Sequence, residues 1–202
     1  MKKNIKKTFK ILKEHEKETR RDVIISAAER VFAKKPFGEV TIRDVAREAG
    51  ISHALIYRYF PDQQSLFVEA CFRGGAKIVA FISRLIDENR DISIQKVTRH
   101  YLQYLIDNDR YFRMMTHFML DGSLTRDMID RFNEGERVLL DQFDRLFEKT
   151  HGKKKARALS HAYFAAMNGI LITFQNYPGR SSEKVASHMH ELGQIIAAKF
   201  KQ

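Results

Sequence analysis

The sequence of 202 residues has one cysteine, three prolines and no tryptophan. The single cysteine, Cys71, excludes an intramolecular disulfide, and the absence of a signal-peptide pattern favours a cytoplasmic location. The longest apolar run, Asn168 to Phe174, is too short to cross a membrane, so no membrane partner is expected.

Motifs that carry enzyme chemistry are also missing. The sequence contains no phosphate-binding loop, no nucleophile elbow, no zinc-binding Cys/His spacing and no Glu-x-x-His pair of a di-iron bundle. We therefore expect no catalytic residue, metal site or cofactor. A helical-bundle enzyme remains a less favoured alternative.

The positive charge is concentrated at the N-terminal end. The formal net charge is +11, and residues 1–60 hold 15 Lys and Arg against 8 Asp and Glu, a surplus of +7. Such an excess indicates a polyanionic partner, most often nucleic acid and less often an anionic membrane. Residues 2–17, which contain seven lysines, are equally compatible with a DNA-binding arm and with a solubilising tail.

Helical periodicity continues through almost the whole chain, and no segment shows the two-residue alternation of a strand. The sequence therefore predicts an all-α fold with short turns. The first helix is expected from about residue 20 to 34, with a buried stripe made of Val23, Ala27, Ala28, Val31 and Phe32. Later helices are expected at about 41–48, from 52 to before Pro61, from 63 into the eighties, and at about 93–108, 109–120, 124–149, 155–176 and 182–200.

The stretch TIRDVAREAGISHALIYRYF, residues 41–60, predicts two short helices that meet at a sharp bend. Thr41 with Asp44 is typical of a helix N-cap, Gly50 suits a positive φ, and Ser52 can cap the second helix. The inward positions would form a small core: Ile42, Val45, Ala46, Ala49, Ile51, Ile56 and Phe60. A helix-turn-helix lays its second helix in the DNA major groove, although this spacing also fits an ordinary packed hairpin.

These residues, with AAERVFA in the preceding helix and LF after them, closely resemble the TetR family of bacterial transcriptional regulators. The dense part of the resemblance covers about Ile24 to Phe67, and the rest of the chain is similar only as a helical segment of suitable length. A basic arm at residues 1–19 precedes the usual start of the family, and the resemblance implies a helix-turn-helix DNA-binding domain at residues 20–66. A larger helical ligand-binding and dimerisation domain would follow at residues 67–202.

The resemblance also implies which residues contact double-stranded DNA. Backbone contacts fall to Thr41, Ser52, Tyr57 and Tyr59, and the positions nearest the base edges are His53, Ala54 and Leu55, with Leu55 where the family commonly has threonine. Arg43, Arg47 and Arg58 carry the charge for further phosphate or guanine contacts. Gln63 stands where the family usually has a phosphate-binding lysine, so the N-terminal lysines are expected to supply more of the backbone affinity.

Two C-terminal helices carry apolar stripes at steps of three and four residues. One consists of small residues, Ala158, Ala162, Ala165 and Gly169, and the other of Val185, Met189, Leu192 and Ile196. Such stripes are commonly part of a protein's own core. The resemblance instead favours a homodimer interface, and a two-fold dimer predicts a palindromic operator.

The middle of the chain is rich in large apolar side chains. Most such residues are core, but the resemblance implies a cavity for a small-molecule inducer among them. The predicted ligand-binding residues are Tyr101, Tyr104, Phe112, Met115, His117, Phe118, Met119, Phe143, Phe164, Met167 and Asn168. His117 and Asn168 are the candidate polar groups for orienting the ligand.

Together these features predict a sequence-specific transcriptional regulator. Its expected mode is repression, with release from the operator by a small apolar or amphipathic inducer. An architectural DNA-binding protein without ligand control is the alternative.

Overall fold

The computed structural model describes residues 2–32, 34–35, 37–89, 91–120 and 125–200, without the side chains of residues 2–7, 37, 110 and 117–120. These residues form nine α-helices and a 3-10 turn at Phe37–Glu39, and they contain no strand, which confirms the all-α prediction. The helices are α1 (Lys2–Phe32), α2 (Ile42–Ala49), α3 (His53–Tyr57), α4 (Gln63–Glu88), α5 (Ile94–Asp107), α6 (Asp109–Leu120), α7 (Arg126–His151), α8 (Lys153–Phe174) and α9 (Ser182–Lys199).

The largest difference from the predicted helices lies in α1. This helix was expected from about Arg20, but it begins at Lys2 and continues without a break through the predicted arm. Val23 was expected to be buried and is exposed, whereas Ile24 and Ile25 are buried. The reason is helical register, because Ile24 lies four and seven residues before the buried Ala28 and Val31.

The chain divides into two compact units, Met1–Cys71 and Phe72–Gln202. In the first unit, α2 packs against both α1 and α3. The ring of Phe32 in α1 meets the ring of Phe67 in α4 edge to face, with centroids 4.5 Å apart. Cys71 is buried at the end of this unit, and burial raises the pKa of its thiol to about 12, which fits a structural role rather than redox sensing.

In the second unit, α7 packs along α8, and α5 packs along α9. Aromatic rings fill the space between the helices: Phe143 lies edge to face with Tyr101 and with Tyr163, at centroid distances of 5.4 and 5.0 Å. The hydroxyl of Thr98 donates to the carbonyl of Ile94, so the buried Tyr163 hydroxyl, 2.9 Å away, donates to the Thr98 oxygen. Burial raises the pKa of Tyr163, which keeps this donor protonated.

Two kinds of feature are not found in the part of the chain that the structure describes. No helix there has an apolar stretch long enough to cross a membrane. No group of three or more His, Cys, Asp or Glu side chains there could hold a metal ion.

Candidate nucleic-acid interface

The start of α2 is fixed by a reciprocal pair of hydrogen bonds. The Oγ1 of Thr41 accepts from the backbone amide of Asp44 at 3.2 Å, and the Asp44 carboxylate accepts from the amide and the hydroxyl of Thr41 at 3.1 and 2.9 Å. This is the predicted capping box. The hydrogen bond from the Thr41 hydroxyl is the main reason that the pKa of Asp44 lies below its usual value.

The bend between α2 and α3 depends on Gly50 and Ser52. Gly50 has φ 68° and ψ 31°, a left-handed conformation that glycine adopts without steric cost, as predicted. The amide of Ile51 then donates back to the carbonyl of Ala46 at 3.0 Å. The Ser52 hydroxyl accepts from the amide of Leu55 at 3.3 Å and so caps α3. These bonds turn the chain sharply and set the direction of α3.

One side of α3 anchors the helix, and the other faces solvent. Ile56 is fully buried and Phe60 nearly so, as predicted, and Arg21 of α1 lies over the Phe60 ring at 5.1 Å. His53 and Tyr57 are exposed, Tyr57 to 51% of its surface. Of the other predicted contact residues, Ser52, Ala54 and Arg58 are exposed, and Leu55 and Tyr59 are half-buried.

Both acidic residues of α2 are paired with cations from the same unit. Glu48 accepts from Arg30 at 2.6 Å and from Lys34 at 3.3 Å, and these bonds, that of Arg30 above all, lower the pKa of Glu48. Asp44 pairs with Arg47 at 3.0 Å and with Lys35 at 3.2 Å. The ion pairs tie α2 to the C-terminal end of α1 and leave its carboxylates neutralised. Arg30, Lys34 and Lys35 were not among the predicted residues, although Asp44 and Glu48 lie four residues apart on one helix face, a spacing that favours nearby cations.

Two of the predicted arginines remain unengaged. Arg43 on α2 and Arg58 after α3 are exposed, and neither forms an ion pair with a residue that the structure describes. Arg47 is exposed as well but shares Asp44. Gln63 is half-buried at the start of α4, where Asp62 caps the helix by accepting from the amide of Ser65 at 2.7 Å. The surface around α3 thus carries hydrogen-bond donors and free positive charge without an unpaired carboxylate from α2.

The predicted dimer residues separate into two groups. Ala158, Ala162, Ala165 and Gly169 lie on the exposed side of α8, and Ile172, three residues further on, is 54% exposed. The structure differs from the expected exposure at Val185 and Met189 of α9, which are buried inside their own unit, and Leu192 and Ile196 are half-buried. Ile195 of α9, a large apolar residue, is 55% exposed. Extending the α8 stripe by one step would have found Ile172, whereas no comparable pattern indicates Ile195.

The predicted ligand-binding residues lie largely inside the second unit. The buried ones are Tyr101, Phe112, Met115, Phe143, Phe164, Met167 and Asn168. Tyr104 is half-buried and stacks on Phe81 with a centroid distance of 4.8 Å. The side chains of His117, Phe118 and Met119 lie outside the described part of the structure. The buried Oδ1 of Asn168 has no hydrogen-bond partner among the described residues.

Comparison with known proteins connects this arrangement to one family. Residues 24–70, which run from α1 into α4, match the family model described as bacterial regulatory proteins, tetR family. An uncharacterized HTH-type transcriptional regulator of Haemophilus influenzae is 27% identical over 100 residues, 48% of this chain and 48% of that protein. The chain therefore spans about half the length of this relative. The nucleoid occlusion factor SlmA of Vibrio cholerae is 26% identical over 144 residues, 69% of this chain and 74% of that protein.

Solved structures share the fold over most of the chain. A protein from Mesorhizobium loti described as a TetR-family transcriptional regulator has a TM-score of 0.70 and 16% identity, and covers 91% of this chain and 97% of its own. The regulator FadR of Bacillus subtilis, solved with stearoyl-CoA, has a TM-score of 0.66 and 15% identity over 85% of this chain and 96% of its own. At these identities the likeness concerns the fold, an N-terminal helix-turn-helix followed by a larger helical unit.

Proposed function

We propose that this chain, whose residues 24–70 belong to the TetR family of bacterial regulatory proteins, is a DNA-binding transcriptional regulator that recognises a specific operator. The observation that carries this proposal is the outer side of α3, where His53, Ala54 and Tyr57 are exposed while Ile56 anchors the helix. A helix held in this way can enter the major groove with its first residues at the base edges. The family consists of regulators and not of enzymes, and we propose no catalytic function.

The roles of the individual residues follow from their exposure. His53, Ala54 and Leu55 would read base edges, and Ser52, Tyr57 and Tyr59 would contact phosphates. Arg43 and Arg58 would bind phosphates directly, since no carboxylate among the described residues competes for them. Thr41 would act mainly by holding the start of α2, because its hydroxyl is already engaged by Asp44.

We further propose that the regulator is a homodimer whose partners meet through α8 and α9. The support is an exposed apolar strip made of small residues, Ala158, Ala162, Ala165 and Gly169, and ending at Ile172. Small side chains let two helices approach closely, and burying exposed isoleucines against a partner stabilises the dimer. A two-fold dimer would present two copies of α3 to the two halves of a palindrome.

The proposed effector is a small apolar or amphipathic molecule bound in the second unit. Aromatic and methionine side chains line the interior of this unit, and the unpaired Oδ1 of Asn168 could accept a hydrogen bond from a ligand. The complex of the structural neighbour FadR with stearoyl-CoA gives an example of such a ligand class in this fold. Binding would favour a conformer with misplaced recognition helices and so relieve repression.

A second candidate function is DNA binding at many chromosomal sites without ligand control. The match to SlmA, a nucleoid occlusion factor, favours it, because this match extends over 69% of the chain and so well beyond the helix-turn-helix. The two candidates differ in the number of sites bound and in the response to small molecules.

Selection of bound sequences from a random duplex pool at near-physiological salt tests both candidates. Convergence on one palindrome supports an operator-specific dimeric regulator, and enrichment of a short motif found at many genomic sites supports the second candidate. Absence of any enrichment, with weak binding that disappears at higher salt, would contradict sequence-specific recognition.

A further inference from the structure

The N-terminal part of α1 projects beyond the packed part of the first unit. Residues 8–20 are all exposed, and burial begins only with the turn that contains Ile24 and Ile25. The segment contains local ion pairs, Lys10 with Glu14 at 4.0 Å and Arg20 with Glu16 at 2.5 Å. Contacts of this kind contribute only a few tenths of a kcal/mol each, so a helix of this length gains little from forming in isolation.

The lysines of this segment form a stripe. Lys10, Lys13 and Lys17 follow each other at steps of three and four residues and therefore share one side of the helix. Ile24 lies seven residues after Lys17, and Val31 lies seven residues after Ile24, so both share this side of the helix. Both are buried against the rest of the unit. The basic stripe therefore lies on the same side of α1 as the residues that pack against the helix-turn-helix.

The stripe is connected to α2 through one continuous helix. The helix has no break between Lys2 and Phe32, and its end is tied to α2 through Arg30 and Glu48. From Lys10 to Lys17 the stripe measures about 10 Å along the helix axis, which equals the axial length of about three phosphates of one DNA strand. Lys13 and Lys17 form no ion pair with a described residue, so their charges are available.

We infer that the N-terminal part of α1 is a second DNA-binding surface, which contacts backbone phosphates and reads no bases. This inference rests on the proposed function, because it requires α2 and α3 to hold the same duplex. Residues 2–17 carry seven lysines against two glutamates, Glu14 and Glu16, a local surplus of five positive charges. Such a surface adds affinity to operator and unrelated DNA alike, and it offsets the missing lysine at Gln63.

An anionic membrane is the competing occupant. Phe9, 64% exposed, and Leu12, 57% exposed, lie next to the lysine stripe, and basic amphipathic helices bind membrane surfaces. DNA is favoured here because the stripe belongs to the same continuous helix that supports the helix-turn-helix, on the same side.

The test compares two triple variants of the full-length chain. Lys10→Gln, Lys13→Gln and Lys17→Gln remove three charges from the stripe, and the matched control removes three exposed lysines of α8 through Lys153→Gln, Lys154→Gln and Lys155→Gln. Glutamine keeps a helix propensity close to that of lysine, and circular dichroism checks that both variants fold. Dissociation constants are measured between 50 and 200 mM salt on the selected operator and on a scrambled duplex of equal length.

The stripe variant should lower the slope of log affinity against log salt by about 0.9 for each lysine that contacts a phosphate, hence by up to about 2.7 per chain. Its affinity should fall by the same factor on both duplexes, while the α8 control keeps the slope of the unaltered chain. An unchanged slope, or an equal change in the control, would overturn the inference and leave the proposed function intact. Loss of binding to phosphatidylglycerol vesicles with an unchanged DNA slope would assign the stripe to a membrane instead. If the unaltered chain bound no duplex, both proposals would fall.

Discussion

Thr41 and Asp44 cap α2 from both directions: the Thr41 oxygen accepts from the Asp44 amide, and the Asp44 carboxylate accepts from the Thr41 amide. The Thr41 amide lies at the helix start, where no carbonyl of α2 can pair with it, and the Asp44 amide is shared between the carbonyl and the hydroxyl of Thr41. The pair therefore determines where α2 begins. Because α2 is only eight residues long, its start also determines the position of the turn at Gly50.

Loss of this cap should destabilise the first unit. Thr41→Ala is expected to lower the free energy of unfolding by about 1 kcal/mol, the usual cost of removing an N-cap hydroxyl. Thr41→Ser keeps the hydroxyl and should retain most of this stability. Urea denaturation followed by circular dichroism measures the difference. Thr173→Ala, at an exposed position within α8, is the control, and an equal loss there would contradict the capping role.

The lowered pKa of Asp44 makes part of the stability depend on pH. Because the folded pKa lies below the unfolded value of about 3.9, the carboxylate stabilises the fold above that value and loses its effect as the pH falls through the folded pKa. Asp44→Asn should therefore reduce the decline in melting temperature on acidification below about pH 4. The control is Asp130→Asn, an exposed carboxylate on α7 without an ion pair among the described residues. A decline as steep as in the unaltered chain would count against this assignment.

The local structure of the candidate site could be predicted from sequence because it depends on residues close together in the chain. The caps at Thr41 and Ser52 and the bend at Gly50 each involve partners within a few residues, and these predictions are confirmed. The extent of α1 could not be predicted in the same way. Residues 2–19 are mostly polar, and residues 8–19 are exposed, so this segment lacks the apolar periodicity from which a helix is recognised.

The predicted dimer stripe of α9 shows a second limit of sequence patterns. Val185 and Met189 recur at helical spacing, but that spacing is the same for a side that packs on the chain's own core as for one that packs on a partner. Here α5 covers that side of α9 within the second unit. Tertiary packing decides which apolar side of a helix stays exposed. For α9, the structure shows that the exposed side carries Ile195.

Arg43 and Arg58 should contribute to DNA affinity without contributing to the fold. The double variant Arg43→Gln with Arg58→Gln is expected to reduce the salt slope by about 1.8, about 0.9 for each lost phosphate contact, with no change in unfolding free energy. Fluorescence anisotropy on the selected operator measures the slope. Arg84→Gln with Arg126→Gln, two exposed arginines of the second unit, should leave it unchanged. The proposed role would be wrong if the two double variants behaved alike.

The exposed strip of α8 should be required for dimerisation. Ala162→Arg places a long charged side chain in the middle of the strip and is expected to yield a folded monomer, because Ala162 does not take part in the core. Sedimentation velocity measures the mass, with Ala76→Arg on the exposed side of α4 as the control. A dimer that survives Ala162→Arg at the same concentration would place the interface elsewhere.

Met189→Ala should instead destabilise the fold by about 2–5 kcal/mol, as expected for a buried methionine.

The contact between α5 and α9 depends on the absence of a side chain at Gly193. A Cβ there would lie 2.4 Å from Cδ1 of Leu102 and 3.1 Å from Cγ2 of Thr98, both of them buried residues of α5. Gly193→Ala should therefore destabilise the chain by about 1–3 kcal/mol despite the better helix propensity of alanine. Gly135→Ala in the exposed part of α7, where a Cβ meets only Phe72 at 4.0 Å, should be neutral or stabilising. If the clash is the cause, Leu102→Ala combined with Gly193→Ala will cost less than the sum of the two single variants, and strict additivity in thermal unfolding would refute it.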